Sequence, residues 1–147
     1  MSIHLPDRSL FLYPMKIAVQ WGEMDALNHV NNVIYFKYFE IARIEYFGKT
    51  GIWDEFQQHG IVVVLGKIEC NFLRPLVFPE EIEVMSRVKL IGNSSLVLEQ
   101  AVYSAKKGLC ACGDAVVVCT DPATGRKTNM PRQLKEHISM IENIPLA

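Results

Sequence analysis

Residues 21–47 read WGEMDALNHVNNVIYFKYFEIARIEYF, and the second half of that stretch decides the fold. From 33 to 47, eleven of fifteen residues are apolar, and the four charges, Lys37, Glu40, Arg43 and Glu45, do not gather on one clean helical face. A helix of this composition must be covered on most of its sides. Asn31 or Asn32 can cap its start, because an Asn side-chain oxygen accepts from an otherwise unpaired first-turn N–H, and Gly48 or Gly51 can end it. Upstream, residues 22–32 (GEMDALNHVNN) are rich in Asp, Asn and Gly, which favour turns and caps. That segment reads as a loop ending in a cap.

On either side of the helix the period is two. Ile17, Val19 and Trp21 alternate with Lys16, Ala18 and Gln20, the pattern of a half-buried strand over 15–21. After Gly60 a β-branched run at 61–65 and the alternating Ile68, Cys70 and Phe72 predict one long strand over 61–72, bent at Gly66 and stopped by Pro75 and Pro79. Ile82, Val84, Ser86 and Val88 open a third strand, Gly92-Asn93 marks a turn, 96–103 is a fourth strand, and Lys106-Lys107-Gly108 turns into a last one over 109–120. Asp121-Pro122 closes it, and a short helix over 132–142 follows Pro131. Strand, greasy helix, four consecutive antiparallel strands and a terminal helix make an α+β fold. A sheet long enough to curl around the helix would cover it where a flat layer would not.

The 147 residues form a single domain, 1–147, with half of them apolar. Fifteen Lys and Arg against sixteen Asp and Glu leave a net charge of −1, which supplies no field for nucleic acid or an anionic membrane, so any anionic ligand must be held locally. The opening residues are broken by His4, Asp7 and Arg8, so neither a signal peptide nor a membrane span is expected, and the expected location is cytoplasmic. Cys70, Cys110, Cys112 and Cys119 form no C-x-x-C pair, and the four histidines are scattered, so buried free thiols are expected and no metal site.

The stretch 21–43, with ECNFLRP at 69–75, IGNSSLVLEQ at 91–100 and VVVCTDP at 116–122, resembles the acyl-CoA thioesterases of the hotdog-fold superfamily, in the branch of the 4-hydroxybenzoyl-CoA thioesterases. The resemblance covers nearly the whole chain. It implies a long central helix wrapped by a curved antiparallel sheet, a homodimer or a tetramer of dimers with active sites between subunits, acyl-CoA as substrate, and no cofactor. It also places the catalytic Asp in this loop, at Asp25.

The residues themselves suit that chemistry. A carboxylate with an ordinary pKa of about 3.9 is ionised at neutral pH, so Asp25 can attack a thioester carbonyl or deprotonate the water that does. The N–H groups near Asn32 and Val33, at a helix start, are donors for the developing oxyanion. His29 either orients substrate or bonds to loop backbone. Glu40 is a second carboxylate, read first as an ion-pair partner of Lys37 or Arg43; Glu23 reads as solvated. Coenzyme A carries phosphates, for which Arg87 and Lys89, the turn Gly92, Asn93, Ser94 and Ser95, and the Arg126-Lys127 pair are candidates. Tyr35, Phe36, Tyr38, Phe39, Tyr46 and Phe47 are core first and acyl-pocket lining second. An acyl carrier protein thioesterase and a noncatalytic acyl-CoA-binding module are the alternatives. A hotdog dehydratase would pair a His and a carboxylate in a different loop pattern.

Overall fold

The computed structural model describes residues 2–146. Its elements are β1 (Met15–Ala18), α1 (Asn32–Thr50), α2 (Ile52–Gln58), β2 (Val62–Ile68), β3 (Asn71–Phe72), β4 (Glu81–Ile91), β5 (Ser95–Ser104), β6 (Gly108–Thr120) and α3 (Arg132–Glu142). The strands form one antiparallel sheet in the order β1-β4-β5-β6-β2, with β3 also pairing β6. The α+β fold with a central helix packed in the sheet is therefore present as expected.

Side-chain spacing explains how α1 seats. Tyr35, Tyr38, Phe39, Ala42, Arg43, Tyr46, Phe47 and Thr50 recur at three- and four-residue intervals and are buried. The sheet answers with Val84, Ser86, Val88, Leu96, Leu98, Gln100 and Val102 on its helix face. Gln100 joins the two layers, donating to the Phe39 carbonyl at 2.8 Å and to Ser86 Oγ at 2.9 Å while accepting from Arg43 at 3.1 Å. The cover of α1 is incomplete along one flank. Val33 and Ile44 are exposed and Phe36 and Ile41 half-buried, along a flank that overlooks the β2 edge.

Three further boundaries differ from the sequence reading. β1 ends at Ala18, and Trp21 is 72% exposed in a 3-10 turn, Trp21–Glu23, rather than inward-facing on a strand. The stretch after Gly51, which has φ +77°, forms the short helix α2, buried through Ile52 and Phe56; apolar residues four apart were the available signal. The predicted 61–72 strand is divided into β2 and β3, with an irregularity between Leu65 and Lys67 at the expected Gly66. The division falls where the Glu69–Cys70 backbone passes against Gly113 so closely that a Cβ there would meet the Glu69 oxygen at 2.0 Å.

The outer face of the sheet carries a second, smaller cluster, Met85, Ala101, Tyr103 and Cys112, covered by Phe11 from the N-terminal segment. Cys110, Cys112 and Cys119 are buried free thiols and Cys70 is half-buried. α3 seals the far end of the core with Leu134 and Ile138, and its Glu142 accepts from Tyr46 Oη and, at 3.0 Å, from the Val88 N–H. Among the described residues no helix is long and apolar enough to cross a membrane.

Candidate active site

The loop before α1 is pinned at several points. Glu23 Oε1 accepts from the Gln20 N–H at 2.8 Å and from Tyr38 Oη at 2.6 Å, and the Glu23 carbonyl accepts from the Asn31 N–H at 3.0 Å. Glu23 is thus a brace between loop and helix, correcting its reading as a solvated residue. Burial, together with the Glu23 carboxylate, pushes the Tyr38 pKa up, which keeps it protonated as the donor. The Val30 N–H donates to the Leu76 carbonyl at 2.9 Å, and the Leu76 N–H donates back to Tyr35 Oη at 3.1 Å.

Between these braces Asp25 sits exposed in an Asx-turn. Its Oδ1 accepts from the Leu27 N–H at 2.9 Å, its own N–H donates to the His29 carbonyl at 3.0 Å, and Asn28 takes φ +63° to close the turn. The second carboxylate oxygen has no protein donor among the described residues. Asn31 is the N-cap: its Oδ1 accepts from the Val33 N–H at 3.0 Å. Of the two N–H groups singled out as oxyanion donors, Val33's is therefore engaged by the cap, while Asn32's has no protein acceptor among the described residues.

Asn32 and His29 line a cleft of about 290 Å³ with Tyr35, Phe72, Leu73 and Arg74. Tyr35 and Phe72 meet edge to face, with centroids 5.0 Å apart. Arg74, which the sequence reading did not single out, reaches the Lys107 carbonyl and faces no carboxylate within ion-pair range among the described residues; its place immediately before Pro75, at a strand end, was the available signal. Leu27 and Val33 flank the loop at 78% and 69% exposure.

The phosphate candidates divide. Arg87 is paired with Glu99 at 2.8 Å and Lys89 with Asp114 at 2.7 Å, so neither cation is free for an anionic ligand here. Both pairs lie on the outer face, away from α1, because Arg87 alternates with the inward Val88. The turn Gly92 to Ser95 is tied to the end of β6 and to the chain beyond it: Ser94 O accepts from the Cys119 N–H at 2.8 Å and Asn93 O from the Met130 N–H at 2.7 Å. Those bonds bring the turn beside the loop carrying Arg126 and Lys127, exposed cations with no carboxylate partner among the described residues. This end of the sheet is remote from Asn32 within one chain, since Ser95 pairs with Val118 while Ser104 pairs with Gly108 at the other end. Glu40 is exposed and makes no ion pair with Lys37 or Arg43; Arg43 instead turns inward to Gln100. Among the described residues no group of His, Cys, Asp or Glu is arranged to hold a metal ion.

A central helix held in a curled antiparallel sheet is the architecture of the hotdog thioesterases. Residues 19–138 match the model of the thioesterase-like superfamily, and the chain belongs to that family. It is 30% identical over 129 residues to the uncharacterized protein YsmA of Bacillus subtilis, covering 88% of this chain and 86% of that one. It is 25% identical over 128 residues to the long-chain acyl-CoA thioesterase FadM of Escherichia coli, covering 86% and 96%. A solved thioesterase from Thermus thermophilus, complexed with coenzyme A and Zn, superposes with a TM-score of 0.76 at 30% identity, covering 90% of this chain and 95% of that one.

Proposed function

We propose that this protein hydrolyses acyl-CoA thioesters to a free carboxylic acid and coenzyme A, with Asp25 as the acting carboxylate and the Asn32 N–H as donor to the oxyanion. The observation that carries this reading is that one braced loop holds Asp25, a carboxylate with an open oxygen that lies outside the cleft's lining, and, seven residues on, a helix-start N–H on the cleft without an acceptor among the described residues. In the general-base route Asp25 takes a proton from water as its oxygen bonds to the carbonyl carbon. Electron density moves onto the carbonyl oxygen, held by Asn32 at the positive end of α1. Collapse then expels the thiolate, which takes up the proton. In the nucleophilic route the carboxylate adds directly, the thiolate leaves, and water opens the resulting anhydride. His29, lining the same cleft, orients the water. The Val33 N–H contributes through the Asn31 cap, which holds the first turn in place.

The β2 edge presents Val62, Val64 and Leu65 to solvent, and a second copy pairing along it gives the dimer, or the tetramer built from it. Antiparallel pairing of two β2 strands about a twofold axis sets the Gly92 to Ser95 end of one chain beside the Asn32 end of the other. In that arrangement Arg126 and Lys127 supply the phosphate contacts for which Arg87 and Lys89 are not free. The rival carboxylate is Glu40, exposed and without an ion pair on α1.

Thiol release by Asp25→Asn and Glu40→Gln decides between the carboxylates. Asn keeps the acceptor of the Asx-turn and loses the charge, so turnover should fall about 10²-fold or more while the melting curve stays put. Wild-type turnover in Asp25→Asn with loss in Glu40→Gln refutes the assignment, and unchanged thiol release in both refutes catalysis by either. Rates on acyl-CoA, acyl-pantetheine and acyl carrier protein separate the acyl-CoA reading from the carrier-protein one.

A further inference from the structure

Residues 73–80 belong to no strand or helix, running from the end of β3 at Phe72 to the start of β4 at Glu81, so bonds from elsewhere must hold them in place. Leu76, fully buried in their middle, reaches both parts of the candidate site. Its carbonyl accepts from the Val30 N–H at 2.9 Å, just before the Asn31 cap, and its N–H donates to Tyr35 Oη at 3.1 Å, one turn beyond Asn32. Phe78 adds a third tie, its N–H donating to Met24 Sδ at 3.4 Å beside Asp25. The residues on either side of Leu76 are gripped in turn by one ion pair. Lys107 Nζ donates to the Pro75 carbonyl, the Val77 N–H donates to Glu80 Oε2 at 3.0 Å, and Lys107 Nζ meets that same Oε2 at 3.4 Å.

That pair is built onto the β5–β6 hairpin turn. Ser104 pairs with Gly108 across the turn, and Ser104 Oγ donates to Glu80 Oε1 while accepting from the Lys106 and Lys107 N–H groups at 3.1 and 3.3 Å. The Glu80 side chain is only 2% exposed. Burial alone would raise its pKa, but the hydrogen bonds from Ser104 and Val77 and the charge of Lys107 hold it below the ordinary carboxylate value, so it grips as an anion. The turn lies at the Gly108 end of β6, whereas β2 pairs with residues 115–120 at the other end, so the clamp is complete within one chain. Neither Glu80 nor Lys107 lines the Asn32 cleft.

We infer that Glu80 and Lys107 are positioning residues: they clamp Pro75 and Val77, and through Leu76 they fix the Asn32 N–H and the Asp25 loop relative to one another. The inference rests on the proposed hydrolase reading for what is positioned. A displacement of about 1 Å at the reacting atoms costs up to about 10²-fold in rate, so Lys107→Met should lower kcat for acyl-CoA at least about tenfold, measured where circular dichroism shows full folding. KM should change by less than about twofold, because the lost placement matters in the transition state. Lys107→Arg keeps the charge and the donors and should retain most of the wild-type kcat. Lys106→Met, at the exposed neighbour, should change nothing. Glu80→Gln keeps an acceptor for the Val77 N–H and loses the charge facing Lys107; it should give an intermediate loss, and it carries the test should Lys107→Met fail to fold.

A double-mutant cycle separates positioning from plain stability. Tyr35→Phe removes the acceptor of the Leu76 N–H, so combined with Lys107→Met it should lose at least about threefold less kcat than the product of the two single losses. Losses that simply multiply, wild-type kcat in folded Lys107→Met or Glu80→Gln, or a change confined to the melting temperature overturns the inference. Hydrogen exchange supplies a readout that needs no activity. Lys107→Met should speed exchange of the Val30 N–H at least about tenfold and leave the Val88 N–H, bonded to Glu142 at the far end of the core, unaffected. Unchanged Val30 exchange overturns the inference whatever the activity. Faster exchange in a protein whose wild type hydrolyses no acyl-CoA refutes the proposed function and leaves the clamp standing.

Discussion

Replacing Gly113 with Ala should lower stability and activity together, because one methyl group separates the strand edge that walls the candidate site. A Cβ at Gly113 would lie 2.0 Å from the Glu69 oxygen, 2.7 Å from its carbonyl carbon and 3.1 Å from Cys70 Cα, all backbone atoms that no rotamer change can withdraw. Restoring ordinary contact moves the 69–70 segment outward by more than an ångström. That motion strains the Glu69 N–H bond to the Asp114 carbonyl (3.0 Å) and the Asn71 Nδ2 bond to the Cys112 carbonyl (3.2 Å). Overpacking of about 1–3 kcal/mol and about 1 kcal/mol for each hydrogen bond lost far exceed the gain of about 0.4–1 kcal/mol from a stiffer unfolded chain. The net loss is about 3 kcal/mol, or a melting temperature lower by about 6–12 °C for a chain of this size. Phe72 follows the displaced segment, so its edge-to-face contact with Tyr35 opens and thiol release falls as well. Thermal denaturation followed by circular dichroism, beside a thiol-release assay, measures both. A melting temperature within about 2 °C of the wild type would refute the reasoning.

Glu142 gives a pH signature. Burial raises its pKa, against the opposing hydrogen bonds from Tyr46 and Val88 and the charge of Arg87, so the folded state holds its proton to higher pH than the unfolded chain. Stability contributed by this group therefore falls as pH rises above the ordinary carboxylate value, and Glu142→Gln should gain on the wild type as pH rises from about 4; urea melts showing a pH-independent difference would count against it. The double variant Arg126→Ala with Lys127→Ala should raise KM for acyl-CoA and flatten its salt dependence while leaving acyl-pantetheine unaffected. Equal effects on both substrates would remove these residues from the phosphate site. Val64→Lys places a charge on the exposed β2 edge and should yield monomers in sedimentation with turnover sharply reduced; a fully active monomer would sever the link between pairing and catalysis.

Local chemistry made much of this molecule legible in the sequence. Period-two alternation marks β4, β5 and β6, Asn at the helix boundary marks the cap, and Pro131 marks the start of α3, because each depends on residues within a few positions of one another. The placement of Asp25 in a loop before an apolar helix belongs to the same class. What only the tertiary structure decided involves partners far apart in sequence. Arg87 and Lys89 look like open cations until β5 and β6 bring Glu99 and Asp114 beside them. Glu23 looks solvated until the helix returns Tyr38 to it, and Arg43 looks like a surface charge until the turn of α1 directs it to Gln100, 57 positions away. The physical reason is common to all three: a side chain's charge is set by its own atoms, but its neutralisation and burial are set by what the fold carries to within hydrogen-bonding distance.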